Sequence, residues 1–129
     1  MACSVDDFTI NRNLKNEFYF TIKKDKELLP IVIDPSDTFR LILYDIHTDN
    51  IEIILDSSAP NENGEIIVSD YVNGQIKVTM NETMTSALKK ERGSREERYY
   101  LKPTYKMIIE ANTASNGILN PKIDRVFVD

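Results

Sequence analysis

Three arginines and two adjacent tyrosines lie close together in the second half of the chain, at Arg92, Arg95, Arg98, Tyr99 and Tyr100. Arginine and tyrosine are enriched at the centres of protein–protein interfaces, because their planar groups bury a large area at a low cost in conformational entropy. This composition predicts a docking surface. The alternative is a core position for one of the tyrosines and pairing of the arginines with nearby glutamates. The residues alone favour neither interpretation.

Charge is unevenly distributed around this segment. Residues 41–76 contain seven acids and no lysine or arginine, whereas residues 89–106 contain seven bases and three acids. One interpretation is a pair of complementary faces that join neighbouring subunits, because opposed potentials orient association. The other is a solvated surface whose opposite charges meet within one molecule, the commoner outcome for charge runs. Nucleic-acid binding is disfavoured, because the net charge is −5 and glutamates dilute the basic stretch.

Residue types that carry catalysis are scarce. The chain has one cysteine, Cys3, and one histidine, His47, which is expected at an exposed hairpin tip. A catalytic thiol needs a neighbouring base, and a serine triad needs a histidine held inside a site. No glycine-rich phosphate loop, nucleophile elbow or zinc-type histidine cluster is present. Carboxylates are numerous, but the sequence selects no pair for glycoside hydrolysis. We therefore predict no catalytic residues, no cofactor and no enzymatic activity.

Acidic and amide side chains also cluster at two expected turns. One turn is flanked by Asp34 and Asp37, and the other is surrounded by Asp56, Asn61, Asn63 and Glu65. Neither has the alternating ligands, sixth-position glycine and distal glutamate of an EF-hand calcium loop. Hydrogen bonds from Asp and Asn side chains to the turn backbone explain these residues more simply. No metal site is predicted.

The rest of the chain has the pattern of short β-strands. Apolar residues alternate with polar ones in residues 17–23 and 75–81, and Ile51, Ile53 and Leu55 share one face, which is typical of strands with one buried face. Residues 39–46 are apolar on both faces, which predicts a central strand covered on both sides. Pro103 is expected to break or edge a long strand, because proline cannot donate to a ladder. The remaining predicted strands are residues 65–69, 99–111 and 123–128.

A single helix is expected between the strands. Asn81 is a suitable N-cap, and Met84, Ala87 and Leu88 then follow at helical spacing. Basic residues suit the last turn, and Gly93 is expected to close a helix of two to three turns. The predicted turns are residues 34–37, 47–50, 60–64, 73–74 and 113–117.

These elements predict one mainly β domain over residues 1–129. We expect an antiparallel β-sandwich of about seven or eight strands, immunoglobulin-like in architecture, with one short helix. An antiparallel barrel is the alternative. The 129 residues, 41% of them hydrophobic, are sufficient for one two-layer core. No signal peptide and no membrane-length apolar run is evident, so we expect a soluble protein without membrane partners.

Aromatic side chains in or near the strands are expected in the core rather than in a sugar-stacking platform. They are Phe8, Phe18, Phe20, Phe39, Phe127, Tyr19 and Tyr44. Tryptophan, the best aromatic side chain for stacking, is absent from the sequence, which disfavours carbohydrate binding.

The order of the elements resembles a known family. A Gly-Gln-Ile-Lys-Val-Thr phrase at residues 74–79 precedes the helix, a strand beginning Tyr-Tyr-Leu follows at residues 99–109, and Val-Phe-Val ends the pattern at residues 126–128. This order is similar to that of the small β-sandwich domains of tailed-bacteriophage virions. Examples are the N-terminal domain of baseplate upper proteins and related neck, tail or fibre-attachment domains.

The resemblance implies a non-enzymatic virion protein that is made in the host cytoplasm and docks to other structural proteins of the neck, tail, baseplate or head. It carries no active-site residues to this chain. Multiple copies around a symmetry axis are expected, and a head-to-tail contact between the acidic and basic stretches closes into a ring when the rotation permits. A glycan- or cell-surface-binding β-sandwich module is the alternative.

Overall fold

The computed structural model describes residues 8–24, 30–59, 61–88 and 105–128. These residues form nine strands and one helix. In chain order they are β1 (Phe8–Ile10), β2 (Asn16–Thr21), β3 (Thr38–Asp45), β4 (Ile51–Asp56), β5 (Gly64–Asp70), β6 (Gln75–Met80), α1 (Glu82–Ser86), β7 (Tyr105–Thr113), β8 (Gly117–Leu119) and β9 (Lys122–Val128).

The strands form two sheets that share one core. The larger sheet has the order β1-β9-β7-β3-β4, with β8 also paired to β7, and the smaller sheet has the order β2-β6-β5. The predicted β-sandwich is therefore confirmed. The alternation of apolar residues did not predict strands β1 and β8, because a segment of three residues is too short to show a period. The pair β1–β9 is parallel, whereas the other pairs among the described residues are antiparallel.

The core lies between the inner faces of the sheets, as the period of two predicts. Phe39, Leu41 and Leu43 point inward from β3, and each is at most 1% exposed. Ile76 and Val78 point toward them from β6 and are fully buried. These side chains belong to one continuous apolar cluster that joins both sheets. Burying a side chain of this size contributes about 1.5–3 kcal/mol each, so this layer is the main source of stability.

Strand β3 is central, as predicted, but its outer face is exposed at Arg40, so the expected cover on both faces is incomplete. It pairs with β4 on one side and with β7 on the other. On its outer face Arg40 is exposed, Ile42 is buried and Tyr44 is half-buried. Both faces of this strand carry apolar residues, which led to the prediction of cover on both sides. The sequence pattern is the same whether the outer face is shielded by neighbouring side chains or covered by a second layer.

Three of the predicted turns are present. In the β3–β4 hairpin, the Asp49 amide donates to the Asp45 carbonyl, and Asp49 adopts a φ of 58°. His47 is exposed at the tip. The β5–β6 connection spans residues 71–74, longer than the two-residue turn expected at residues 73–74, and Gly74 supplies its φ of 67°. The turn at residues 34–37 is closed by a 2.9 Å bond from the Asp37 amide to the Asp34 carbonyl.

Helix α1 begins as predicted but ends earlier. The Asn81 side chain accepts a 3.0 Å hydrogen bond from the Met84 amide, which confirms Asn81 as the N-cap. The expectation of a helix closing at Gly93 is wrong, because α1 ends at Ser86 and is capped by Ala87. Leu88 then turns into the core, where it is 1% exposed. Burial of Leu88 directs the chain off the helix axis.

Candidate functional site

The residues predicted for docking, Arg92, Arg95, Arg98, Tyr99 and Tyr100, lie outside the described residues, and so does Cys3. The acidic stretch at residues 41–76 is described. Folding distributes its acids over several elements instead of collecting them on one face. Asp45 is buried on β3 and accepts a hydrogen bond from the His47 amide. Asp70 lies at the β5–β6 turn, where it accepts from the Asn73 side chain.

One row of charges crosses the outer face of the larger sheet. The strand register places Arg40 between Asp56 and Glu110. The Arg40 guanidinium donates to Asp56 at 3.2 Å through both Nε and Nη2, and its Nη1 lies 4.0 Å from Glu110. At this point the acidic stretch is paired within the molecule. Both partners are partly solvated, so the pairing contributes little to stability.

A row of three isoleucines lies beside this charge row. The register aligns Ile54 of β4, Ile42 of β3 and Ile108 of β7 across the outer face. Ile42 is buried between its neighbours, whereas Ile54 is 50% exposed. Farther along the strands, Ile51 is also 50% exposed and lies opposite Tyr44. Its expected place on the buried face with Ile53 and Leu55 is wrong, because the register of β4 against β3 shifts between Leu43 and Tyr44. The outer face of the larger sheet therefore has an apolar strip that opens to solvent at β4.

The ring of Tyr44 bounds this strip on the β7 side. The Lys106 Nζ lies 5.4 Å from the ring centroid, within cation–π range. Tyr44 was expected in the core, and its place on the outer face is a correction. Tyr19 is a second correction, because it is 56% exposed on the outer face of the smaller sheet. The alternation of side chains along a strand explains both positions, because the residue before each tyrosine faces inward. Phe39 and Phe127 are buried, and Phe18 and Phe20 pack against the core.

A shallow groove of about 210 Å³ separates β4 from α1. Ile53 and Leu88 form its apolar floor, and both are buried. Its remaining lining residues are Glu52, Ile54, Asn61, Asn63, Thr83, Met84 and Ala87. The helix is held in place by Asn81, whose amide donates to the Asn63 carbonyl at 2.9 Å. The groove is thus built by the N-cap of α1 and by the turn before β5.

Proton chemistry has little support among the described carboxyl groups. Those with a resolved shift all have a lowered pKa, and they are Glu17, Asp34, Asp56 and Asp70. The Ser36 amide is the largest cause of the lowered pKa of Asp34, and the Ser58 hydroxyl, 2.7 Å away, is the largest cause for Asp56. A general acid needs a raised pKa. For Asp34 and Asp56, the predicted role as acceptors of hydrogen bonds from the turn backbone is confirmed, because they accept from the Ser36 and Ser58 amides.

Two further features bear on the class of site. Across residues 8–24, 30–59, 61–88 and 105–128, no group of three His, Cys, Asp or Glu side chains is arranged to hold a metal ion. In the same part of the chain, the helix present spans five residues, and no helix is long and apolar enough to cross a bilayer.

The isoleucine row is the feature that the sequence prediction missed. Ile42 and Ile54 each lie between two inward-facing aliphatic residues, so the sequence pattern predicted that they face outward. It did not signal that they meet Ile108, because register between distant strands leaves no local pattern.

Comparisons with known proteins give a distant structural likeness. No protein-family model matches the chain, and no curated protein matches it. A solved structure described as the ZIG-8–RIG-5 IG1–IG1 heterodimer matches with a TM-score of 0.38 and 6% identity, over 96% of this chain and 83% of that chain. The two-sheet architecture is established by the strand pairing of this chain itself.

Proposed function

We propose that this chain is a non-enzymatic structural protein of a bacteriophage virion, which docks to other virion proteins at the neck, tail, baseplate or head. The carrying observation is the apolar strip on the outer face of the larger sheet, where Ile51 and Ile54 are each 50% exposed. The virion assignment is supported by the order of elements at residues 74–79, 99–109 and 126–128, which resembles small virion β-sandwich domains.

The strip suits a protein partner better than a small molecule. It lies on the outer face of a sheet, and it has an apolar centre with charged residues such as Arg40 and Glu110 at its edge. Interfaces between proteins have this arrangement, with an apolar core and a polar rim. Small-molecule sites are concave and bury most of the ligand, whereas the adjoining groove is about 210 Å³. We therefore assign the strip to docking and assign no catalytic group to the chain.

The partner side of the contact is proposed to involve Arg92, Arg95, Arg98, Tyr99 and Tyr100. Their residue types fit an interface centre. Several copies on a symmetric assembly would then place this basic and aromatic segment of one subunit near strand β4 of the next. The glycan-binding alternative has less support, because tryptophan, the best aromatic side chain for stacking, is absent from the sequence.

Mass spectrometry of particles purified from the source of the sequence tests the proposal. We expect the chain in purified particles at a fixed copy number relative to the major capsid protein. In a complementation experiment, Ile54→Lys should abolish incorporation, whereas Ile67→Lys, at a 44% exposed position on the smaller sheet, should not. The proposal is overturned if the chain is abundant in the lysate but missing from particles. Specific hits on a glycan array together with that result would establish the alternative.

A further inference from the structure

The outer face of the larger sheet carries three parallel rows of side chains on strands β4, β3 and β7. The isoleucine row is the middle one. Along β3 and β7, the charge row lies two residues away on one side, and a third row lies two residues away on the other side, which is about 7 Å in each direction. In the strand order β4, β3, β7 the rows are Asp56–Arg40–Glu110, Ile54–Ile42–Ile108 and Ile51–Tyr44–Lys106.

These nine side chains, called here the outer grid, all belong to described residues. Each row has members that reach solvent. Those that are exposed or half-buried are Ile51, Ile54, Asp56, Arg40, Tyr44, Lys106, Ile108 and Glu110. A second sheet can pack face to face on such a surface at a distance of about 10 Å.

Charge on β7 is opposite at equal distances from the isoleucine row. Glu110 and Lys106 each lie two residues from Ile108. A two-fold axis parallel to the isoleucine row, between two facing copies, lays β7 of one copy on β7 of the other in the reverse direction. Glu110 of each copy then faces Lys106 of the other, so one favourable pair is formed at both ends of β7.

The other two strands are compatible with this axis. On β3 it sets Arg40 against the ring of the second copy's Tyr44, a cation–π pair of the kind that Lys106 already makes. On β4 it sets Asp56 against Ile51, and the Asp56 carboxylate is already bound by Arg40. The isoleucine row packs on itself. Within the outer grid, no like charges face each other.

A two-fold axis parallel to the strands is the other way to pack two of these faces. It lays β4 on β7, so that Asp56 of one copy faces Glu110 of the other, and Lys106 faces Ile51. Acid against acid across an interface is unfavourable. Charge therefore selects the axis along the isoleucine row.

We propose that the isoleucine row is the two-fold axis of a homodimer, in which the outer faces of the larger sheets of two copies pack on each other. The inference rests on the proposed docking function and names the occupant of the apolar strip. The contact is isologous and closes at two copies. It uses nine grid positions a side, against roughly 20–30 residues in a standard interface, so the dimer is weak. The segment containing Arg92 and Tyr100 joins β7 at its Lys106 end, which this geometry turns toward the second copy's charge row.

Sedimentation equilibrium of the full chain in low salt, from about 10 μM to about 1 mM, covers the dissociation constants of weak dimers. The wild-type chain should form dimers as its concentration rises. Lys106→Glu and Glu110→Lys each set like charges at both ends of β7. Each should weaken dimerisation about tenfold or more, because one reversal turns two attractive pairs repulsive. Lys15→Glu, a charge reversal on the β1–β2 connection, is the matched control and should dimerise as the wild type does.

A mixing experiment tests the pairing itself. An equimolar mixture of the Lys106→Glu and Glu110→Lys chains should form heterodimers, because every β7 pair across that contact is again opposite in sign. A chain carrying both changes should recover the homodimer. Circular dichroism and melting must first show that the variants fold. If Glu110→Lys is misfolded by its closeness to Arg40, Ile54→Lys replaces it, with Ile67→Lys on the smaller sheet as its control.

Four outcomes overturn the inference. They are a wild-type chain that stays monomeric at all concentrations, a Lys106→Glu chain that dimerises normally, a mixture without heterodimers, and a Glu110→Lys chain that dimerises more tightly, as the axis parallel to the strands would require. The virion proposal is judged separately, by the presence of the chain in purified particles. A chain found in particles whose Lys106→Glu variant dimerises normally would keep the docking function and refute the two-fold contact.

Discussion

Replacement of Gly74 by alanine should strongly destabilise the sandwich. Gly74 has a φ of 67°, and a Cβ on it would lie 2.6 Å from the Ile31 carbonyl oxygen and 3.0 Å from the Ile22 carbonyl oxygen. Its own carbonyl accepts a 2.8 Å bond from the Ile22 amide. The left-handed conformation costs an alanine about 1–2 kcal/mol, and relieving the close approach to the backbone adds about 1–3 kcal/mol. We expect a total loss of about 2–5 kcal/mol.

Gly117→Ala provides the matched control. Gly117 has a φ of 71°, but no heavy atom lies within 4 Å of the position of an added Cβ. This variant should lose only the conformational part, about 1–2 kcal/mol. Urea unfolding followed by tyrosine fluorescence separates the two, since the chain has no tryptophan. With a urea slope of about 1.5 kcal/mol/M, their midpoints should differ by about 1 M. If both variants lost the same free energy of unfolding, the close approach of the backbone to Gly74 would not be the cause of the larger expected loss.

Three further outcomes follow from the structure. Asn81→Ala should cost about 1–2 kcal/mol in the same unfolding assay, because the helix loses its cap, whereas the isosteric Asn81→Asp should cost less. The pKa of Asp56 is lowered in the fold, first by its bond from Ser58, so its contribution is present above its ordinary pKa of 3.8 and is lost as pH falls below it. The melting temperature should therefore fall on acidification toward pH 3, and Asp56→Asn should fall less steeply. Asn116 should deamidate before Asn63 on ageing at alkaline pH, as judged by peptide mapping. The Asn63 side chain is held by Asn81, whereas Gly117, the residue after Asn116, has no heavy atom within 4 Å of the position of an added Cβ.

Local chemistry made several elements predictable. The alternation in β2 and β6 identified their inward faces, because one buried face imposes a period of two. Asn81 was identifiable as a cap, and Gly74 as a turn residue, from residue type alone. These features depend on contacts within a few positions along the chain, which a single sequence displays directly.

The candidate site was less predictable, because it depends on distant contacts. Ile42 and Ile54 belong to one hairpin, but their meeting with Ile108 depends on the register of β3 against β7. The same is true of Arg40 and Glu110. The end of α1 depends on the burial of Leu88 in the core, so the helical spacing that continued beyond Ser86 was misleading.

The dispersal of the acidic stretch limits how that stretch can act on a partner. Successive strand residues point to opposite faces, so a run of like charges in sequence does not become one charged face. Asp45 is buried, Asp56 is paired with Arg40 and Asp70 is bonded within its turn. What remains near β4 is a small acidic edge beside an apolar strip. The proposed docking there therefore depends on shape and apolar contact as well as on charge, and raised salt should weaken it without abolishing contact with the isoleucines.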